Sequence, residues 1–287
     1  MKTLILGGTG FIGSNISGYI ANADSVNSDV VNFLHGPGID TISNDYDCII
    51  NCVGRYGGIP YNQRLGKQIF FENNTINHNI NKLVDHIQPQ RYIQIYSACM
   101  YPSVDYKVNE TTLTEYFQPA ESVKWSALAQ INDLRYLRQS NIPFDALVIT
   151  NSYGYNDHYD NERSHVIGAL LNRLKTGGAE IQMIGTGIAK RDFIFAEDVA
   201  KIIQNILKQS PTHDVLNVSS GNLLTIKNMV DIVVNEYGYK GEVLWGDEKD
   251  NGVLFKGLDN VNLLRHIGPF QFTDFATGIA TTIKNLG

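Results

Sequence analysis

The sequence predicts an α/β fold, a doubly wound parallel sheet with a smaller, discontinuous substrate lobe toward the C-terminus. Two observations carry this. Short apolar runs alternate with helical stretches through the first half of the chain, and parallel strands require such crossover connections. A glycine-rich turn also joins the first strand directly to the first helix.

Taken in order, Thr3–Leu6 reads as a strand, Phe11–Ala21 as a helix, Ser25–Asn32 as a weak strand and Cys48–Val53 as a strong one. A helix is expected from about Asn73 to Ile87, a strand at Tyr92–Tyr96, a helix from about Val123 to Gln139 and a strand at Asp145–Ile149. Residues 1–150 would form the nucleotide-binding domain. Beyond Thr150 the pattern loosens into a polar loop through Asn161, a helix over Ser164–Leu174 and a strand over Glu180–Ile184. The strand Asp192–Phe195 and the helix Glu197–Lys208 are expected to return to the first domain with residues 189–220. Residues 151–188 and 221–270 would make the substrate lobe, and 271–287 a C-terminal helix.

The chain has 287 residues, 43% of them hydrophobic and 18% charged, with a net charge of −6. That composition fits an ordered globule and gives no broad electrostatic reason to bind nucleic acid or an anionic membrane. The first strand begins almost at Met1 and no apolar run approaches the roughly 20 residues of a spanning helix, so a cytoplasmic protein is expected. Cys48 and Cys52 lie in one extended run, about 13 Å apart at four residue steps, too far to share a metal or a disulfide. No metal site is expected.

Gly7, Gly10 and Gly13 follow the first strand at the spacing Gly-x-x-Gly-x-x-Gly, with Phe11 and Ile12 opening the helix. Such a turn lets the backbone approach a pyrophosphate at a helix N-terminus, which predicts a Rossmann-type dinucleotide site. The cofactor is therefore NAD or NADP. Asp24 and Asp29 are the acids near the second strand, and no Arg or Lys lies between Lys2 and Arg55, which favours NAD. The same two acids also read as solvated loop residues.

From Tyr96 onward the chain resembles the GDP-L-fucose synthase family of the extended short-chain dehydrogenases. Three stretches carry the likeness: Ser97-Ala98-Cys99-Met100-Tyr101-Pro102; Thr150-Asn151-Ser152-Tyr153-Gly154 with Ser164-His165-Val166-Ile167; and Gly185-Thr186-Gly187 leading to Arg191-Asp192-Phe193. The loop Arg55-Tyr56-Gly57-Gly58-Ile59 is similar as well, and the likeness fades after about Ala200. It implies a 4-keto sugar nucleotide as substrate, a homodimer and a place in polysaccharide biosynthesis. It also implies a cysteine and a histidine that move protons beside the ketone, here Cys99 and His165, and a hydroxyl that contacts the sugar, here Ser97. Loss of a proton next to a ketone needs a base and a hydrogen-bonded enolate oxygen. Asn151 and Arg191 match positions that face the sugar nucleotide, and an arginine there suits a diphosphate.

The family's second stage, hydride delivery to C4, relies on Tyr-x-x-x-Lys, and that pair is missing. Its place is taken by Ser126-Ala127-Leu128-Ala129-Gln130, with Trp125 and Ala129 in the adjacent register. Ser126 is a poor proton donor compared with a lysine-assisted tyrosine, and Gln130 has no charge, although its amide suits the nicotinamide ribose. Three functions follow: an epimerase whose C4 reduction is weak or absent, an epimerase/reductase or dehydrogenase with a substituted proton donor, and a non-catalytic dinucleotide-binding partner or regulator.

Overall fold

Short apolar strands, buried on both faces, build the centre of the molecule. The computed structural model describes residues 1–113, 118–160 and 163–286. Six parallel strands form the main sheet: β1 (Thr3–Leu6), β2 (Ala23–Val26), β3 (Cys48–Asn51), β4 (Arg91–Ser97), β5 (Phe144–Ile149) and, after three strands that lie elsewhere, β9 (Val215–Val218). Their spatial order is β2-β1-β3-β4-β5-β9. Every residue of β1, β3, β5 and β9 is buried, as expected of a sheet covered on both sides.

One face is covered by α2 (Ile59–Ile87) and α3 (Lys124–Gln139), the other by α1 (Phe11–Ser17), α5 (Ala196–Ile206) and α7 (Val261–Ile267). The chain leaves β1 toward one edge and β3 toward the other, so a crevice opens beyond their carboxyl ends. Ligands of open α/β sheets bind at such a reversal point.

The second sheet centres on β8 (Lys190–Phe195). It pairs with β6 (Asn151–Tyr153), β10 (Leu223–Thr225) and the two-residue β12 (Phe255–Lys256). Two further strands, β7 (Glu180–Gln182) and β11 (Glu242–Leu244), pair with each other. Helices α4 (Val166–Thr176), α6 (Ile226–Tyr237) and α8 (Phe275–Lys284) supply a third apolar cluster with Tyr153, Phe193 and Phe195.

Several boundaries differ from expectation for local reasons. Helix α1 ends at Ser17, before Gly18, and its Ser14, Asn15 and Ser17 side chains bond back to the carbonyls of Phe11 and Gly13, which weakens continuation. Strand β2 stops at Val26 because the Asn27 side chain accepts the amides of Asp29 and Val30 and folds the chain into a turn. Helix α2 starts at Ile59, fourteen residues before the expected Asn73, with Pro60 in its first turn. Its early turns hide their period because Ile59 and Phe71 are 52% and 67% exposed.

The expected polar loop after Thr150 opens instead with β6, and the expected return to the first domain begins at α5, since β8 is hydrogen-bonded within the second sheet. Asn161, at the far end of that loop, and Gly287, at the end of the expected C-terminal helix, lie outside the described residues.

Candidate active site

The glycine loop sits at the crevice between β1 and β3. Gly7 adopts φ +79°, where a side chain is strained, and its N–H donates to the Val26 carbonyl at 2.8 Å. A Cβ on Gly13 would lie 2.2 Å from the Gly7 carbonyl oxygen. The absence of that Cβ lets α1 start flush against β1. No side chain caps α1, so the amides of Phe11, Ile12 and Gly13 remain as donors of the kind a pyrophosphate accepts. These residues fit a dinucleotide.

The ribose end differs from expectation. Asp24 lies opposite Leu4, two residues before the end of β2, and accepts the Tyr46 hydroxyl at 2.9 Å. It is therefore engaged away from the glycine loop. Asp29 lies exposed in the turn after β2.

The loop after β3 forms the next wall. Asn73 of α2 clamps its backbone, accepting the Arg55 N–H at 2.8 Å and donating to the Arg55 carbonyl at 3.0 Å. A Cβ on Gly58 would come within 2.9 Å of the Ser164 carbonyl oxygen, so this loop touches the residue before His165.

Cys99 lies in a single turn, Ala98–Met100, just past the end of β4, and the Ser97 hydroxyl accepts its N–H at 3.2 Å. Lys256 of β12 reaches across the cleft and places its Nζ 3.2 Å from the Cys99 Sγ. Burial pushes the thiol up, but Lys256, Ser97 and Arg191 outweigh it and leave Cys99 below the ordinary thiol value. The other two thiols behave differently: burial pushes Cys48 and Cys52 up to about 12.

His165 occupies the N-cap position of α4, but its side chain makes no capping bond. Its surface is open to solvent while protein surrounds it on several sides, as for a residue lining a cleft. Burial, His158 and Lys256 all lower its pKa below the ordinary 6.5. Lys256 thus acts on both Cys99 and His165.

Arg191 is the strand neighbour of Lys256, and its guanidinium donates to the carbonyls of Lys190 at 2.8 Å and Val253 at 2.6 Å. Burial lowers its pKa, and the Cys99 thiolate opposes that. Tyr56 also borders the site; burial, Asp133 and Cys99 all push its phenol upward.

Other expected site residues are used internally. Ser126 is 3% exposed and donates to the Val123 carbonyl at 3.0 Å. Gln130 is fully buried, accepts the Ser97 N–H at 2.6 Å and donates to the Ser126 carbonyl at 3.3 Å. Both side chains are thus engaged in hydrogen bonds within α3 and between α3 and β4. Asn151 donates to the Asp192 carbonyl at 2.8 Å, tying β6 to β8 and leaving its Oδ1 for other contacts.

Three tyrosines after β5 are likewise engaged internally. Tyr153 packs between Phe195 and Phe275, Tyr155 donates to Glu197 at 3.1 Å, and Tyr159 donates to the Gly154 carbonyl at 2.9 Å.

Residues 3–219 match the NAD dependent epimerase/dehydratase family. The chain belongs to that family. Among family relatives, the chain is 27% identical to a GDP-L-colitose synthase from Yersinia pseudotuberculosis, over 99% of this chain and 97% of that protein. It is 24% identical to a GDP-L-fucose synthase from Escherichia coli, over 99% and 95% of the two chains. The fold matches that of a GDP-L-fucose synthetase from Naegleria fowleri bound to NADP, with TM-score 0.88 and 19% identity, covering 98% of this chain and 91% of that one. Epimerase/dehydratase membership accounts for the glycine loop and the α/β sheet. Lys256, the partner of Cys99, lies beyond the matched residues in the short run Val253-Leu254-Phe255-Lys256, where a single lysine carries no sequence signal.

Proposed function

We propose that this protein is an epimerase acting on a 4-keto sugar nucleotide, with GDP as the nucleotide, and that its C4 reduction is weak or absent. The carrying observation is that the Lys256 ammonium lies 3.2 Å from the Cys99 sulfur just past the end of β4, and that its charge bears on His165 as well. Cys99 is the base that removes a proton from a carbon next to the ketone, and His165 is the acid that returns one to the opposite face. Arg191 and the Asn151 Oδ1 orient the anionic substrate.

A bound nicotinamide dinucleotide would supply hydride chemistry, with NAD favoured through Asp29. This chain provides poor support for the accompanying proton transfer. Ser126 is buried and occupied, and the shift at Tyr56 makes its phenol a weaker acid. General acid-base assistance contributes typically about 10²–10⁴-fold, so its loss leaves reduction slow. A homodimer in the cytoplasm, serving polysaccharide biosynthesis, completes the reading.

Incubation with a GDP-4-keto-6-deoxyhexose in D₂O tests it. Deuterium should enter at C3 or C5, Cys99→Ala and His165→Gln should each reduce that entry by about 10²-fold or more, and absorbance at 340 nm with either reduced cofactor should hardly change. No deuterium at either carbon would reject the epimerase assignment for that substrate.

A further inference from the structure

Two positive charges and a phenol face Cys99 from the elements around it. Lys256 of β12 lies 3.2 Å from its sulfur, Arg191 of β8 is the strand neighbour of Lys256, Tyr56 borders it from the loop after β3, and Asp133 acts on Tyr56 from α3. His165 of α4 lies within the field of Lys256. The positive charges near the sulfur come from the second sheet, whereas Cys99 follows β4 of the first.

We propose that Lys256 is a positioning residue that keeps Cys99 ionised in the free protein, so that a thiolate is already in place when the ketone arrives. This rests on the proton-transfer reading of the site. In the step itself the substrate C–H proton passes to Sγ, the electrons of that bond form the enolate, and the negative charge leaves sulfur for the ketone oxygen. Lys256 keeps its proton throughout. No oxidant or reductant is needed.

The geometry gives the second lobe a defined part in the chemistry. β12 is only two residues long and is held by β8 on one side. Val108, from the loop after Cys99, and Leu258, two residues past Lys256, form a β-bridge between the two parts of the chain, so the lysine is carried on backbone fixed at both ends. A thiolate that formed only after substrate binding would need no such partner, and its half-buried sulfur would then remain a thiol.

The test uses alkylation of the full-length protein by iodoacetamide between pH 5 and 9, with modification at Cys99 read by peptide mass spectrometry. Cys48 and Cys52, pushed up to about 12, serve as slow internal references. Lys256→Met should slow Cys99 alkylation by about tenfold at pH 7 and move its pH limb upward, and Lys256→Arg should restore most of the rate. Lys256→Gln, which keeps a polar side chain of similar reach, should behave as Lys256→Met and serves if the methionine variant does not fold. Wild-type alkylation rates and an unmoved limb in either neutral variant would overturn the proposal. The measurement needs no substrate: a slowed thiol without deuterium entry in the wild type would reject the epimerase reading alone, whereas deuterium entry with unchanged alkylation would reject only the role of Lys256.

Discussion

The carboxamide oxygen of Gln130 accepts the Ser97 N–H at 2.6 Å, which fastens α3 to the end of β4 two residues before Cys99. A neutral amide thus bridges the helix and the strand end. Replacing Gln130 with Ala should destabilise the protein by about 1–3 kcal/mol, because a partly buried donor loses its partner. Urea denaturation measures this. A change below about 0.5 kcal/mol, the scale of a neutral surface substitution, would show that the bridge is incidental.

Three residues further along α3, Asp133 is a buried carboxyl that accepts from Asn81 at 2.7 Å and from Tyr96 at 2.8 Å. Burial raises its pKa from 3.8 to about 6 despite both bonds. The folded state therefore binds the proton more tightly than the unfolded chain, and stability declines as pH rises from about 4 to about 6, then levels off. The size of that loss is about 3 kcal/mol. Asp133→Asn removes it, and rotation of Asn81, whose Oδ1 has no partner, lets the new amide donate. The stability difference between variant and wild type should grow across that pH window, and a difference independent of pH would contradict the assignment.

At the glycine loop, the 2.2 Å separation between a Gly13 Cβ and the Gly7 oxygen involves backbone on both sides, so neither can move without distorting the loop. Gly13→Ala should cost about 1–3 kcal/mol and weaken dinucleotide binding by about tenfold or more. Gly18, where an added Cβ would meet nothing within 4 Å, is the matched control and should accept Ala with little effect on binding. Cofactor titration by intrinsic fluorescence distinguishes the two.

The contrast between local and long-range contacts also decides what is legible in the sequence. The turn from Leu6 to Phe11 can be read because its glycines answer to local sterics, and Cys99 and His165 because each sits in a compact stretch of recognisable residues. Lys256 cannot be read: its role depends on a strand pairing between residues 190–191 and 255–256, and no short-range pattern announces that pairing. Ser126 and Gln130 are visible as substitutions, but their capture by Val123 and Ser97 depends on how α3 settles against β4. Asp24 escapes a sequence reading for a related reason, since its partner Tyr46 lies 22 residues away.

The pH dependence of proton exchange follows from the two groups that perform it. Cys99 must enter as the thiolate, and its pKa lies below the ordinary thiol value, so the acid side of the profile is shifted downward. His165 must enter protonated, and burial with the nearby His158 and Lys256 places its pKa below 6.5. The alkaline side therefore also moves down, because the imidazolium is lost as pH rises through that lowered value. Since kcat/KM reports groups of the free enzyme, its profile for deuterium entry should lie at lower pH than an ordinary thiol and an ordinary imidazole would place it. Lys256→Met removes a positive neighbour from both groups, so the thiolate limb and the imidazolium limb should both rise and carry the whole bell toward higher pH. A variant whose acid limb moved while its alkaline limb stayed fixed would show that Lys256 acts on Cys99 alone, and would assign the second proton to a group other than His165.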